Sequence, residues 1–136
     1  MGSSSSNITP LGLVVDDDFG VRTFAASVLA DEGYTILSAA DGEEALRIAG
    51  RLASQFAFVL TDYEMGPTNG LEVATAVRTI APSIRILMMS GSRIDGPIPA
   101  GVIDGFLAKP FSAADLCARL HEILGDSRIA VLAALH

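Results

Sequence analysis

Hydrophobic residues along the chain form short continuous runs, which alternate with segments where apolar positions recur every three or four residues. Each continuous run predicts a β-strand, and continuous hydrophobicity is typical of parallel strands that helices cover on both faces. The predicted strands are LGLVV (11–15), YTILSA (34–39), AFVLT (57–61), IRILMMS (84–90) and GFLA (105–108). The pattern therefore predicts an α/β fold with a doubly wound, five-stranded parallel sheet.

Residues typical of helix ends flank the periodic segments. Helices are predicted over residues 19–32, 41–53, 70–80 and 112–124. Asp18 is expected to cap the first of them, and Gly33, a residue that readily adopts the left-handed conformation, to end it. Two further pairs have the spacing of a capping box: Asp41 with Glu44, and Ser112 with Asp115.

The connection between the fourth and fifth predicted strands is unusual for this fold class. Residues 91–105 contain Pro97 and Pro99 within the sequence DGPIPAG. A proline inside a helix costs about 3 kcal/mol, because it removes a hydrogen bond and clashes with the preceding turn. The helix expected here, the fourth of such a fold, is therefore predicted to be shortened, irregular or absent.

Length and hydropathy indicate one domain with a substantial core. The chain has 136 residues, half of them hydrophobic, and a mean hydropathy of +0.46. Its longest apolar run, IAVLAAL (129–135), is far shorter than the ~18 to 20 residues that cross a membrane, so no membrane insertion is expected. We expect a flexible leader or tag over residues 1–10, the domain over 11–125, and a tail that is a candidate for further helix over 126–136.

Charge and cysteine content narrow the class of protein. The formal net charge is −7 and the isoelectric point about 4.6, which argues against direct nucleic-acid binding because that requires a basic face. The single cysteine, Cys117, excludes an internal disulfide and predicts a reducing, cytoplasmic setting. Cys117 itself is expected to be a small core residue. Met65, Met88 and Met89 are expected to fill gaps in the core. The two histidines, His121 and His136, lack partners at metal-ligand spacing, so no chemical role is expected for them.

Candidate chemical groups stand at the ends of four of the five predicted strands. They are Asp16, Asp17 and Asp18 after the first, Asp62 after the third, Ser90 at the end of the fourth and Lys109 after the fifth. An aspartate after a strand is usually a turn or cap residue, and Asp18 fits that role. The carboxyl ends of parallel strands share one edge of the sheet, however, so the other groups are expected to converge there. Their joint placement favours a chemical function.

The types of these residues indicate phosphoryl chemistry with a divalent cation. Clustered carboxylates repel one another, and a hard cation with oxygen ligands, such as Mg²⁺, resolves that repulsion. Lys109 can pair with one phosphoryl oxygen and Ser90 can donate a hydrogen bond to another. Asp62 is then the nucleophile, which attacks phosphorus to give an aspartyl-phosphate.

Four motifs in order resemble the receiver domain of two-component response regulators, in particular the chemotaxis regulators. They are LVVDDD (13–18), VLTDYEM followed by NGLE (59–72), ILMMSG (86–91) and FLAKPF (106–111). The resemblance extends over residues 11–124, nearly the whole predicted domain. It implies a flavodoxin-like fold with strand order 2-1-3-4-5.

The resemblance also implies roles for particular residues. Asp16 and Asp17 would hold Mg²⁺ or another divalent cation such as Mn²⁺, together with the phosphoacceptor Asp62 and the backbone carbonyl of Glu64. Ser90 matches the hydroxyl position of the switch.

Three further positions complete the implied site. Lys109 matches the lysine that senses the phosphoryl group, and Phe106 matches the aromatic residue that switches conformation. Gly91 stands at a position where a small residue leaves the phosphoryl group room to enter.

As a function, the resemblance implies acceptance of a phosphoryl group from the phosphohistidine of a histidine kinase or a histidine phosphotransfer protein. Such a domain is free-standing or belongs to a hybrid kinase, and homodimerisation is a further expectation. It catalyses its own phosphorylation and dephosphorylation, but its role is signalling, so it is not expected to be an enzyme in the ordinary sense.

Two other classes of function are weighed against this one. A phosphorylation-independent interaction module could use the same fold, although the complete set of acids, hydroxyl and lysine speaks against it. A flavodoxin would need a hydroxyl- and glycine-rich loop where this chain has DDDFGV (16–21), and a haloacid-dehalogenase-type phosphatase would need an aspartate where Glu64 stands.

The sequence departs from the family pattern directly after the proposed phosphoacceptor. Family members commonly place a proline immediately after the methionine, whereas here Gly66 separates Met65 from Pro67. The proline therefore restricts the backbone of Gly66 in place of Met65. The turn that follows Asp62 is expected to differ in shape.

Overall fold

A computed structural model of the chain describes residues 10–91 and 98–125, and these form a five-stranded sheet with helices on both faces. The strands are β1 (Leu11–Val15), β2 (Thr35–Ala39), β3 (Phe56–Asp62), β4 (Arg85–Ser90) and β5 (Gly105–Ala108). The helices are α1 (Phe19–Asp31), α2 (Gly42–Leu52), α3 (Gly70–Ile80) and α4 (Ala113–Ile123), with a short 3₁₀ turn at Ala53–Gln55.

The sheet has the predicted topology. All four neighbouring pairs are parallel, and the order is β2-β1-β3-β4-β5. Strand β2 lies on one side of β1 and the later strands on the other, so the strand order switches direction between β1 and β3. These two strands are neighbours, with Val15 opposite Thr61. Asp16 and Asp62, the next residue on each strand, therefore emerge as neighbours at the switch point, where open α/β sheets bind ligands.

The three inner strands, β1, β3 and β4, bury both of their faces, as their continuous hydrophobicity predicted, whereas the edge strands β2 and β5 are only partly buried. One core cluster packs α2 and α3 on the side of Leu13 and Met88, and the other packs α1 and α4 on the side of Val14 and Met89. Met65 also lies in the first cluster, so all three methionines are core residues as expected. Cys117 is only half-buried on α4, contrary to its expected place in the core, because its position borders the solvent-facing side of the helix.

Most helix ends form as the sequence indicated. The Asp18 carboxylate accepts a hydrogen bond from the amide of Val21 at 3.1 Å, and Gly33 follows α1 with φ of 101°. Reciprocal capping boxes begin α4 at Ser112 with Asp115, and α3 at Asn69 with Glu72, a pair that the sequence analysis did not identify.

The cap of α2 differs in one respect from the expected capping box. Asp41 accepts from the Glu44 amide at 2.8 Å as expected. The Glu44 carboxylate, however, accepts from the amide of Ala40 at 2.8 Å and not from that of Asp41. Glu44 thereby ties the start of α2 to the residue that follows β2.

The described residues between β4 and β5, which are 91 and 98–104, form no helix. Residues 92–97, on which part of the prediction for this helix falls, lie outside the described part of the chain. Val102 and Ile103 pack against the first core cluster, and the next aromatic residue on β5, Phe106, remains 47% exposed. Among the described residues, the edge strand therefore carries one largely exposed aromatic side chain.

Arg78, near the end of α3, holds this connection against the sheet. Its guanidinium donates to the carbonyls of Pro82, Ile84 and Val102 and to the Asp104 carboxylate, the last at 2.7 Å. Asp104 also accepts from the β4 amide of Ile86, as its backbone amide donates back to the Ile86 carbonyl. One planar side chain therefore joins α3, the start of β4 and the segment that leads into β5.

We expect Arg78→Lys to lower the free energy of unfolding by about 2 kcal/mol, because an ammonium cannot satisfy this fan of acceptors as a guanidinium does. Urea unfolding followed by circular dichroism measures the change. Arg85→Lys is the matched control: its side chain is 47% exposed and lies 3.8 Å from Asp104, so less than about 0.5 kcal/mol is expected. Equal effects of the two substitutions would contradict the assigned role of Arg78.

The expected leader, apart from Pro10, and the expected tail over residues 126–136 lie outside the described residues. None of the helices in the described part of the chain has the length and apolar character needed to traverse a lipid bilayer.

Candidate functional site

Three carboxylates converge at the carboxyl edge of the sheet. Asp16 and Asp62 extend from the adjacent central strands and are buried, the first completely and the second with 5% of its surface exposed. Asp17, the next residue along the chain, is exposed. One oxygen from each of the three carboxylates lies within 4.8 Å of the other two.

Asp16 is fixed by contacts on every side. Its Oδ1 accepts from the amide of Asp18 at 2.9 Å, and its Oδ2 accepts from the Lys109 ammonium at 2.8 Å. Its backbone carbonyl accepts a hydrogen bond from the Arg22 guanidinium at 2.7 Å. This guanidinium also lies over the ring of Phe19, and both residues belong to α1. The first turn of α1 therefore sets the position of this buried acid.

Lys109 reaches the cluster from the end of β5. Its Nζ lies 2.8 Å from Asp16 Oδ2 and 3.2 Å from Asp62 Oδ1, so one ammonium bridges the two buried acids. Its backbone amide donates to the carbonyl of Ser90 at 2.9 Å, which keeps the ends of β4 and β5 together. The lysine and the carboxylates come from strands that are far apart in sequence.

Burial and the neighbouring charges shift the pKa values of Asp62 and Lys109. Burial raises the pKa of Asp62, and repulsion from Asp16 and Asp17 adds to that effect, while Lys109 opposes it. For Lys109, burial favours the neutral amine, but its hydrogen bond to Asp16 and the charges of Asp16 and Asp62 raise the pKa above the usual value. The site carries more negative charge than its one ammonium balances.

This donor set fits a hard divalent cation. It offers three carboxylates around one point, and oxygen ligands are what Mg²⁺ prefers. The incomplete compensation of negative charge at Asp62 gives a cation a favourable electrostatic environment. No imidazole or thiolate contributes to this cluster of described residues, which speaks against a site for softer metals.

The remaining candidate residues are Ser90, Gly91, Glu64 and Phe106, which differ in burial. Ser90, at the end of β4 opposite Ala108, is half-buried, and Gly91 is exposed. A Cβ on Gly91 would lie 3.8 Å from the Lys109 Cβ, an ordinary contact. Glu64 is exposed two residues after Asp62, and Phe106 is exposed on β5.

The turn after Asp62 shows why glycine precedes Pro67. Gly66 has φ of +86°, a left-handed conformation that side chains with a Cβ rarely adopt, whereas Met65 before it points into the core. The turn thus combines a buried methionine with a reversal of the backbone at the next residue. That this turn differs in shape from the turn of other family members stays a prediction.

Gly70 is a residue of the site that the sequence analysis did not single out. It begins α3, and its amide donates to the carbonyl of Tyr63 at 2.8 Å. A Cβ at this position would lie 2.1 Å from the carbonyl oxygen of Asp62. The sequence feature that could have indicated its role is a glycine directly after the helix cap Asn69, because the start of a helix does not by itself require glycine.

Comparison with known proteins agrees with this architecture. A family model described as the response regulator receiver domain matches residues 13–121. The chain is 34% identical over 115 residues to the sensor kinase CckA of Brucella abortus, an alignment that covers 82% of this chain and 12% of the kinase. It is 32% identical over 126 residues to the regulatory protein SphR of Synechococcus elongatus, with 85% of this chain and 49% of that protein covered.

A solved structure shows the same fold. The chemotaxis protein CheY4 of Vibrio cholerae superposes with a TM-score of 0.75 at 30% identity, covering 85% of this chain and 99% of that one. The chain therefore spans about half of the regulator and an eighth of the kinase that it matches, but nearly all of a chemotaxis regulator. On the family match, the sheet order and this likeness, the chain belongs to the response regulator receiver domains of two-component systems.

Proposed function

We propose that the chain accepts a phosphoryl group on Asp62 from the phosphohistidine of a histidine kinase or a histidine phosphotransfer protein, and that this reaction switches its conformation. The observation that supports this most is the bridge from Lys109 to both Asp16 and Asp62 beside the exposed Asp17. It supports the proposal because one ammonium and three carboxylates meet at one edge of the sheet, where Asp62 would be the nucleophile and Lys109 would pair with the phosphoryl oxygens.

In the proposed transfer, a carboxylate oxygen of Asp62 forms a bond to phosphorus as the phosphorus–nitrogen bond of phosphohistidine breaks. The electron pair of that bond remains on the imidazole nitrogen of the donor, and the product on this chain is an acyl phosphate. Lys109 lies 3.2 Å from Asp62 and would pair with an oxygen of the incoming group. The Ser90 hydroxyl would donate to another oxygen.

Asp16, Asp17, Asp62 and the backbone carbonyl of Glu64 would hold the divalent cation, Mg²⁺ or Mn²⁺. When bound, the cation supplies positive charge that offsets the negative charge of the phosphoryl oxygens. Asp16 is buried and held by the amide of Asp18, so it can keep its orientation without rearrangement. Asp17 is exposed and can adjust to the ion.

The same contacts suggest how phosphorylation would be transmitted. A phosphoryl group on Asp62 competes for the ammonium of Lys109, which now bridges two acids. The amide of Lys109 is bonded to Ser90, so a shift of either residue acts on the ends of β4 and β5. Phe106, 47% exposed on β5, would change its packing in the switch.

The proposed role is that of a signalling domain, formed by residues 11–125, which catalyses its own phosphorylation and dephosphorylation without turning over a separate substrate. A free-standing regulator and a segment of a hybrid kinase both fit, since the chain matches nearly all of CheY4 and an eighth of a sensor kinase. The cytoplasm is the proposed compartment, since a single cysteine fits a reducing setting.

Incubation with Mg²⁺ and acetyl phosphate tests the function. We expect the intact mass to rise by one phosphoryl group, and the rise to disappear when EDTA removes the cation. Acetyl phosphate is a suitable donor because it needs no docking surface. An unchanged mass under conditions where the protein is folded would favour the interaction module that works without phosphorylation.

A groove beside the site favours a protein donor. It encloses about 400 Å³ between α1 and the segment after β5, and its lining is mainly apolar: Gly20, Val21, Phe24, Lys109, Pro110 and Phe111. Phe24 is 44% exposed and its ring lies 6.1 Å from that of Phe111. Because Lys109 borders both the groove and the acids, a helix of the donor docked here would bring its phosphohistidine to Asp62.

Phe24→Ala should therefore slow transfer from a phosphorylated kinase or phosphotransfer protein by about tenfold or more, since aromatic residues dominate docking energies. Phosphorylation by acetyl phosphate should stay within about twofold of the unaltered chain, because the substitution leaves the acids and Lys109 in place. Ile80→Ala, at the exposed end of α3, is the control. Parallel slowing with both donors would mean that the groove is not the docking surface.

A further inference from the structure

The first residue of α3 packs directly on the backbone of the proposed phosphoacceptor. The Gly70 amide donates to the Tyr63 carbonyl at 2.8 Å, and the Tyr63 amide donates in turn to Met89 on β4 at 2.9 Å. The Asp62 carbonyl between them accepts from the hydroxyl of Thr61 at 3.0 Å. The end of β3 is thus enclosed by a helix on one side and a strand on the other.

This close approach requires a residue without a Cβ. A Cβ on Gly70 would lie 2.1 Å from the carbonyl oxygen of Asp62, 3.0 Å from its carbonyl carbon and 2.9 Å from the Cα of Tyr63. These atoms belong to the backbone and cannot rotate away. Relief to an ordinary contact needs a relative displacement of roughly 1 Å between helix and strand end.

The helix is the part that resists displacement. At its start, Asn69 and Glu72 form a capping box, and at its end the Arg78 guanidinium is bonded to four acceptors. Between these points α3 buries apolar side chains in the first core cluster, namely Val73, Ala74 and Val77. The segment after β3, in contrast, is a turn that contains the left-handed Gly66.

We infer that Gly70 is a positioning residue for phosphoryl transfer: the absence of a side chain lets α3 fix the backbone of Asp62, and hence the distance of its carboxylate from Asp16, Asp17 and Lys109. This inference rests on the proposed function. It assigns to Gly70 an effect on the geometry of the reaction in addition to any effect on stability, and it involves no direct contact with the phosphoryl group.

Gly70→Ala should slow phosphorylation by acetyl phosphate about 100-fold, since a displacement of about 1 Å at a reacting group costs a factor of that order. The apparent dissociation constant for Mg²⁺, followed by tyrosine fluorescence in a Tyr34→Phe background so that Tyr63 next to Asp62 is the emitting residue, should rise by about tenfold. Rates are expressed per folded molecule, with the folded fraction taken from circular dichroism of the same sample.

Two controls separate position from stability. Gly50→Ala adds a methyl on α2 where no atom lies within 4 Å, so it should match the unaltered chain in rate and in Mg²⁺ affinity. Leu29→Ala removes buried methyls from α1 in the second core cluster and destabilises the fold without touching α3, so its rate per folded molecule should also match. Gly70→Ala is also made together with Gly50→Ala, which stabilises α2 and keeps the sample folded.

The outcomes distinguish the two claims. Slow phosphorylation and weak Mg²⁺ binding in Gly70→Ala alone support the inference. If all three variants are phosphorylated at the rate of the unaltered chain, the inference is overturned and the proposed function stands. Absence of phosphorylation in the unaltered chain overturns both.

Discussion

Asp62→Asn should abolish covalent phosphorylation while leaving the folded protein at least as stable as the unaltered chain in the absence of a divalent cation. The amide cannot act as the nucleophile, so no phosphoryl group is retained. Burial, with repulsion from Asp16 and Asp17, raises the pKa of Asp62, so ionisation of this carboxyl makes the folded state less stable relative to the unfolded chain. A neutral side chain removes that unfavourable charge.

Intact mass after incubation with acetyl phosphate and Mg²⁺ measures the first effect, and urea unfolding in EDTA measures the second. Asp31→Asn, an exposed acid at the end of α1, is the control and should be phosphorylated like the unaltered chain. A phosphorylated Asp62→Asn protein would show that another residue is the acceptor. A marked loss of stability would show that the Asp62 carboxylate stabilises the folded state, which contradicts the claim that its charge is unfavourable there.

Lys109→Met should lower the free energy of unfolding by about 3 kcal/mol in EDTA, because two buried carboxylates lose the cation between them. The Lys109 side chain is 19% exposed and contacts Asp16 at 2.8 Å and Asp62 at 3.2 Å, so solvent replaces it poorly. Saturating Mg²⁺ should reduce the deficit, since a bound cation then balances the acids and stabilises the state that binds it. The phosphorylation rate should fall by about 100-fold or more.

The control for this variant is Arg51→Met on α2, which removes an exposed cation remote from the acids and should change stability by less than about 0.5 kcal/mol. Unfolding curves with and without Mg²⁺ provide the comparison. An equal deficit for Lys109→Met in both conditions would contradict the assignment of the metal site to the acids that Lys109 bridges.

The parallel sheet and the placement of its acids follow from short-range features of the sequence. Continuous apolar runs predict buried strands, and strands that alternate with helices in a parallel sheet bring their carboxyl ends to one edge. The sequence alone therefore predicts that Asp16 and Asp62 meet. The two prolines between β4 and β5 likewise predict the lack of a helix that the described residues 98–104 show.

Other features depend on atoms that sequence spacing does not locate. That Lys109 pairs with both buried acids depends on the length of its side chain and on the register of β4 with β5. The bonds from Arg78 to four acceptors, and the fit of Gly70 against Asp62, depend on how α3 lies on the sheet. No regular spacing of residues in the sequence indicates that the residues joined by these contacts meet.

Mapping of the phosphorylated residue tests the central claim most directly. The chain is treated with Mg²⁺ and acetyl phosphate, reduced with borohydride, which converts an aspartyl-phosphate to homoserine, and digested for peptide mass spectrometry. We predict a single homoserine at position 62, dependent on Mg²⁺ and absent from Asp62→Asn. Homoserine at any other aspartate, or none in a folded sample, would contradict it.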